Sequence, residues 1–156
     1  MNAIFQAIRL NDSNTYKKLI SSATINIVND FAQNLLQEAI ASERTHIAND
    51  LIERGIDVNH IDIDGQTALH FCGLYKNFEI VEAILLKGGD LNIVDIYGKN
   101  ALWTSVFNAR GDFRVVKLLV TYGANIESKN KSNRSPLDFA KQINSKALIE
   151  VLEKKL

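Results

Sequence analysis

The side chains able to do chemistry in this chain are few: one thiol at Cys72, imidazoles at His46, His60 and His70, and 18 carboxylates. A nucleophilic cysteine needs a neighbouring base or cation to lower its pKa, and no residue near Cys72 in sequence supplies one. The histidines are not spaced with Cys72 as metal ligands would be. Gly88-Gly89 lacks the Lys-Ser/Thr that follows a phosphate-cradling loop. The carboxylates fall in turns and on polar stretches. The expectation is therefore a chain that is not an enzyme and has no catalytic residue, metal, cofactor or small-molecule substrate.

Bulk properties narrow the class further. With 156 residues, 46% hydrophobic and 23% charged, the chain can bury a real core and is not disordered. Its net charge of zero argues against nucleic acid or an anionic membrane as the main partner. No apolar run reaches membrane-spanning length, and Met1 to Leu10 lacks the pattern of a secretory signal. One cysteine without an internal disulfide partner fits a reducing compartment, so a cytoplasmic location is expected. The charge is unevenly divided. Residues 1–78 hold six Lys/Arg and nine Asp/Glu, whereas residues 79–156 hold twelve and nine. That gives one end able to steer an acidic partner.

The elements that carry these residues repeat. Asn59, Asp62, Gly65 and Leu69 recur 33 residues later as Asn92, Asp95, Gly98 and Leu102. Gly88 recurs backwards as Gly55, and Gly88-Gly89 recurs forwards as Gly123-Ala124 after 35 residues. Two extra residues therefore lie near Asn108-Ala109-Arg110. Within residues 62–91, Asp62-Ile63-Asp64-Gly65 is a turn signal, because Asp bonds back to the chain and Gly accepts positive φ. Thr67 caps a helix carrying Leu69, Cys72 and Gly73, with Gly73 small enough for close helix approach. Lys76-Asn77 breaks it. Phe78, Ile80, Val81, Ile84 and Leu85 then mark a second amphipathic helix, ended by Gly88-Gly89. Helices this short cannot cover their apolar faces alone, so successive units must stack.

Asp64-Gly65-Gln66-Thr67-Ala68-Leu69-His70, with Ile80-Val81, Ile84-Leu85 and Gly88-Gly89-Asp90-Leu91-Asn92, resembles the ankyrin repeat. Tyr97-Gly98, Ala101-Leu102, Val115-Val116, Leu118-Leu119 and Gly123-Ala124-Asn125-Ile126 carry it into the next unit. Ser135-Pro136-Leu137, Phe139-Ala140, Leu148-Ile149 and Leu152 carry it into the last. The resemblance implies an all-α solenoid of helix-turn-helix units joined by hairpin loops. Its single domain, 1–156, divides into units at about 1–26, 27–58, 59–91, 92–126 and 127–156. The first two are degenerate: Asn34-Leu35-Leu36-Gln37 stands where the family has Thr-Pro-Leu-His. By the same resemblance His70 ties helix to turn through hydrogen bonds, and Cys72 holds a small-residue position in the core.

Such a domain implies protein binding on the face made by hairpin tips and first helices. Positions there that are often polar are apolar in this chain. One tip carries Ile61 and Ile63, with Asp64 and Gln66 beside them. The next carries Val94, Ile96, Tyr97 and Lys99. The first helices add Leu74, Tyr75, Trp103 (in place of the family's His), Phe107 and Asn108. A third tip is basic, with Lys129, Lys131 and Arg134. Apolar residues at corresponding positions would form one strip, and aromatics with a basic rim have the make-up of an interface hot spot. The expected role is stoichiometric binding of another protein. Small size, the lack of accessory segments and an Asn-, Ile- and Lys-rich usage point to a bacterial immunity protein that neutralises a toxin domain. An adaptor or regulatory subunit of a signalling or host-interaction complex is the alternative.

Overall fold

Short helices, most of them capped by a side chain at the start, organise the chain. The computed structural model describes residues 2–154. Among them are ten helices: α1 (Ala3–Arg9), α2 (Ser13–Leu19), α3 (Leu35–Ala41), α4 (Thr45–Glu53), α5 (Ala68–Tyr75), α6 (Phe78–Leu86), α7 (Ala101–Asn108), α8 (Arg114–Thr121), α9 (Pro136–Gln142) and α10 (Lys146–Glu153). Each runs seven to nine residues, too few to persist alone in water. Caps supply part of what length does not. Asn34 and Gln37 form a reciprocal capping box on α3, and Ser135 and Asp138 form another on α9. Asn100 accepts the Trp103 N–H at the start of α7.

The rest comes from stacking, as the repeat requires. Odd-numbered helices pack on odd-numbered ones, α1 on α3, α3 on α5, α5 on α7 and α7 on α9. The second layer follows, α4 on α6, α6 on α8 and α8 on α10. The result is an all-α solenoid of stacked helix pairs, with one isolated antiparallel bridge, Val28 to Asn34, among the described residues. Ile8, Leu36, Ile40, Leu51, Leu69, Ile84, Leu102 and Leu119 run through the core and are essentially sealed. At the α5–α7 contact Gly73 is required: a Cβ there would lie 2.3 Å from Ser105 Oγ and 2.9 Å from its backbone nitrogen.

Leu119 is fully buried as its spacing implies, whereas Leu85 is only half-buried. Ile84 takes the inward position on α6, and one residue further on the helix turns by about 100°, which carries Leu85 to the rim of the interface. The two extra residues of the fourth unit do lie between its helices. The turn from α7 to α8 runs through Arg110 and Gly111, both at positive φ, where Lys76 and Asn77 suffice between α5 and α6.

Candidate functional site

Four hairpin tips project from the solenoid, and one oxygen organises each. Asp62 Oδ1 accepts the N–H groups of Asp64 and Gln66 at 3.0 and 2.8 Å. Asp95 Oδ1 does the same for Tyr97 and Lys99, both at 2.9 Å. Asn130 Oδ1 holds Ser132 and Arg134, and Asn29 Oδ1 holds Phe31 and Gln33. The residue after the tip takes positive φ in all four, and it is Ala32, Gly65, Gly98 and Asn133 in turn. Glycine is needed at the middle two for a second reason. A Cβ on Gly98 would meet the Lys131 nitrogen at 3.0 Å, because the next tip closes on it.

Successive tips are tied edge to edge. Ile63 N–H donates to the Phe31 carbonyl at 3.0 Å, Ile96 to Asp64 at 2.9 Å, and Lys131 to Tyr97 at 3.0 Å. A second set of bonds comes from the first helices. Gln37 Nε2 donates to the Gln66 carbonyl at 2.7 Å, and Trp103 Nε1 donates to the Arg134 carbonyl at 2.8 Å. His70 Nε2 occupies the same place at 2.9 Å from the Lys99 carbonyl. Its Nδ1 accepts the Thr67 N–H at 3.1 Å, which leaves Nε2 as the proton-bearing donor. Three side-chain chemistries thus make one bond. Burial holds the His70 pKa below its ordinary value, so the ring is neutral.

With the backbone of the tips bonded in this way, their side chains point outward. Ile61, Ile63, Val94, Ile96 and Tyr97 on the tips are exposed, and so are Leu74, Tyr75 and Phe107 on α5 and α7. Tyr97 is 60% exposed although the fold makes no use of its ring for burial. Asp64, Lys129 and Lys131 are exposed; Gln66, Lys99, Asn108 and Arg134 are half-buried. Trp103 departs from the expected surface strip. It is 5% exposed and belongs to the scaffold through its bond to Arg134. Asn108, half-buried, donates to the Thr104 carbonyl one turn back on its own helix. Lys129 is paired with Asp138, whose carboxyl that ammonium holds well below the usual range.

The ridge also extends further than the sequence pattern indicates. Phe31 (61% exposed) and Val28 sit on the first tip, beside a hollow of about 380 Å³ reaching to Asn2, Phe5 and Arg9. The signal was present, since Asn29 to Gln33 lies 33 residues before Asp62 to Gln66, but Ala32 removes the glycine that would have marked it. Phe139 is the other omission. It meets Trp103 and Phe107 at ring-centroid distances of 5.5 Å.

The reactive groups are placed otherwise. Cys72 is fully buried, and burial pushes its thiol pKa up, away from thiolate character. His46 is exposed on α4 with Nε2 3.1 Å from Ser13 Oγ, while His60 Nε2 donates to the Ala32 carbonyl at 2.6 Å and steadies the first tip. No helix among the described residues is long and apolar enough to cross a membrane.

Comparison with known proteins bears on what such a ridge does. A family model described as ankyrin repeats (3 copies) matches residues 4–95 and 72–155. Ankyrin repeat domain-containing protein SAT10 of Stachybotrys chartarum is 34% identical over 97 residues, covering 62% of this chain and 5% of that protein. Glycerophosphocholine phosphodiesterase GDE1 of Candida albicans is 35% identical over 113 residues, covering 69% of this chain and 9% of its own length. Putative ankyrin repeat protein L371 of Acanthamoeba polyphaga mimivirus is 26% identical over 138 residues, covering 87% of this chain and 18% of the viral protein. This chain thus spans less than a fifth of each of these curated relatives, and the catalytic name of the Candida protein describes that whole molecule.

Proposed function

Since this chain belongs to the ankyrin-repeat family, and is thereby a protein–protein interaction module, we propose that it holds one partner protein stoichiometrically on the ridge of hairpin tips and the adjoining α5 and α7 surface. The observation that carries the reading is a run of exposed apolar side chains: Ile63 and Leu74 recur 33 residues later as Ile96 and Phe107, and Tyr75 and Tyr97 stand beside them. Proteins in water rarely leave large apolar patches bare without a use for them. Rigid tips tied by backbone bonds lower the entropy lost on docking.

The narrower role expected from the sequence is an immunity protein covering a toxin domain. The Asn-, Ile- and Lys-rich residue usage supports it, and the names of the relatives above mention neither toxin nor immunity. An adaptor role has the same surface requirement. The two part in one assay: saturating amounts of the chain abolish the catalytic activity of a toxin partner, whereas an adaptor leaves its partner active.

The interface itself is tested by substitution once affinity capture from the native cell has supplied the partner. Tyr75→Ala or Tyr97→Ala weakens binding by roughly 2 kcal/mol or more with the thermal midpoint unchanged. Full-strength binding after joint replacement of Tyr75, Ile96 and Tyr97 by alanine would move the interface to the outer helices or to the turn at Arg110.

A further inference from the structure

Charge changes sign along the ridge. Asp30 and Asp64 stand exposed on the first two tips, while Lys99, Lys131 and Arg134 stand on the last two. Among the described residues none of these five forms an ion pair; the pairs present are Arg9–Glu38, Arg54–Asp50, Arg114–Asp112, Lys129–Asp138 and Lys141–Glu153.

One of the three cations lies over an aromatic cluster, and the backbones of the other two are bonded to that cluster. Lys99 Nζ is 5.5, 5.1 and 5.3 Å from the ring centroids of Tyr97, Trp103 and Phe107. The Lys131 backbone N–H donates to the Tyr97 carbonyl and the Arg134 carbonyl accepts the Trp103 indole N–H, so both side chains start from backbone beside the cluster. The nearby carboxylates are engaged. Asp95 Oδ1 accepts the Tyr97 and Lys99 N–H groups, and Asp138 holds Lys129 and the Ser135 N–H. A half-buried ammonium among three rings has its charge partly satisfied, but π faces are weak acceptors for its three N–H donors. Beside apolar rings, where the effective dielectric is low, an arriving carboxylate gains more from that cation than it would from one in open water.

We propose that the segment docking at the C-terminal end of the ridge is an acidic peptide stretch of a partner protein. At least two of its Asp or Glu carboxylates lie over Lys99, Lys131 and Arg134, and apolar side chains continue across Phe107, Tyr97 and Ile96 toward Ile63. The inference rests on the partner-binding reading above and adds the chemistry and the direction of the ligand. A nucleic acid fits the ridge less well, because Asp30 and Asp64 repel phosphates at its other end and the whole chain has no net charge.

Selection of random twelve-residue peptides on the immobilised full chain tests the proposal, followed by titration of the enriched peptides in solution. Trp103 is the only tryptophan, so its emission and its indole N–H resonance report from inside the cluster. The expected result is an enriched set carrying two or more Asp/Glu beside apolar residues, with affinity falling as salt rises. Lys99→Gln or Lys131→Gln weakens these peptides at least tenfold, whereas Lys117→Gln on α8 changes nothing; matching melting curves exclude misfolding. Failure to enrich, enrichment of neutral or basic peptides, affinities within twofold after joint Lys99→Gln, Lys131→Gln and Arg134→Gln, or preference for a twelve-nucleotide single-stranded DNA would each overturn it. Neutral peptides that lose binding with Tyr97→Ala leave the partner-binding reading standing and remove only the acidic ligand. Acidic peptides indifferent to both Tyr75→Ala and Tyr97→Ala remove the ridge itself.

Discussion

The inter-unit core and the ridge of tips are built from the same residue types with opposite consequences. Ile84 and Leu119 are sealed between stacked helices, while Ile96 and Tyr97 are open to solvent. The core holds the units together by excluding water from apolar surface. The tips are joined instead by backbone bonds from Ile63, Ile96 and Lys131 and by side-chain bonds from Gln37, His70 and Trp103. A polar frame frees the outward side chains from any duty in folding. Apolar residues can therefore stand there for a partner, and the outward side chains of the tips can vary without loss of shape.

The largest break in this contrast comes from the core. Leu119→Ala should destabilise the chain by about 2–5 kcal/mol, read as a shift in the denaturation midpoint, and Leu85→Ala by distinctly less because Leu85 is already half-exposed. Equal effects would mean that α6 and α8 do not present the faces described. Next comes the frame. Asp95→Ala leaves the Tyr97 and Lys99 N–H groups without their acceptor, at about 1–3 kcal/mol, while Asp95→Asn, the residue type of Asn29 and Asn130, keeps most of the stability.

A subtler test separates the three versions of one bond. His70 is buried neutral with a pKa below 6.5. The unfolded chain therefore binds the extra proton first as pH falls. Its stabilising contribution is complete above about pH 6.5 and declines as pH drops below that value toward the folded pKa. His70→Gln, copying the way Gln37 accepts the Asn34 N–H and donates to the Gln66 carbonyl, should retain neutral-pH stability and flatten the decline below pH 6.5. An unchanged pH profile would place the acid sensitivity elsewhere. The smallest expected effect is at the ridge: Tyr97→Ala should alter stability by no more than about 0.5 kcal/mol although it strips the most exposed aromatic of the strip. A larger loss would show that the ridge contributes to folding after all and would weaken its reading as a docking face.

The 33-residue step, the Asp-x-Asp-Gly turn and the Gly88-Gly89 stop were enough to place the turn, the two helices and the stacking, because each depends on local backbone preference or on helical spacing. The same logic located Ile63, Ile96, Tyr97 and Tyr75 on the outer face. It did not find the first tip, where Ala32 accepts positive φ in place of glycine. Nor did it fix the depth of Trp103. A tryptophan at the family's histidine position can point outward or replace the histidine's hydrogen bond, and only the arrival of the Arg134 carbonyl from the next unit decides for the second. Sequence determined what repeats, since repetition is written in short-range spacing. Tertiary structure decided which side chain of each repeat is scaffold and which is surface, because that depends on partners about 30 residues away along the chain, brought within bonding distance only when the units stack.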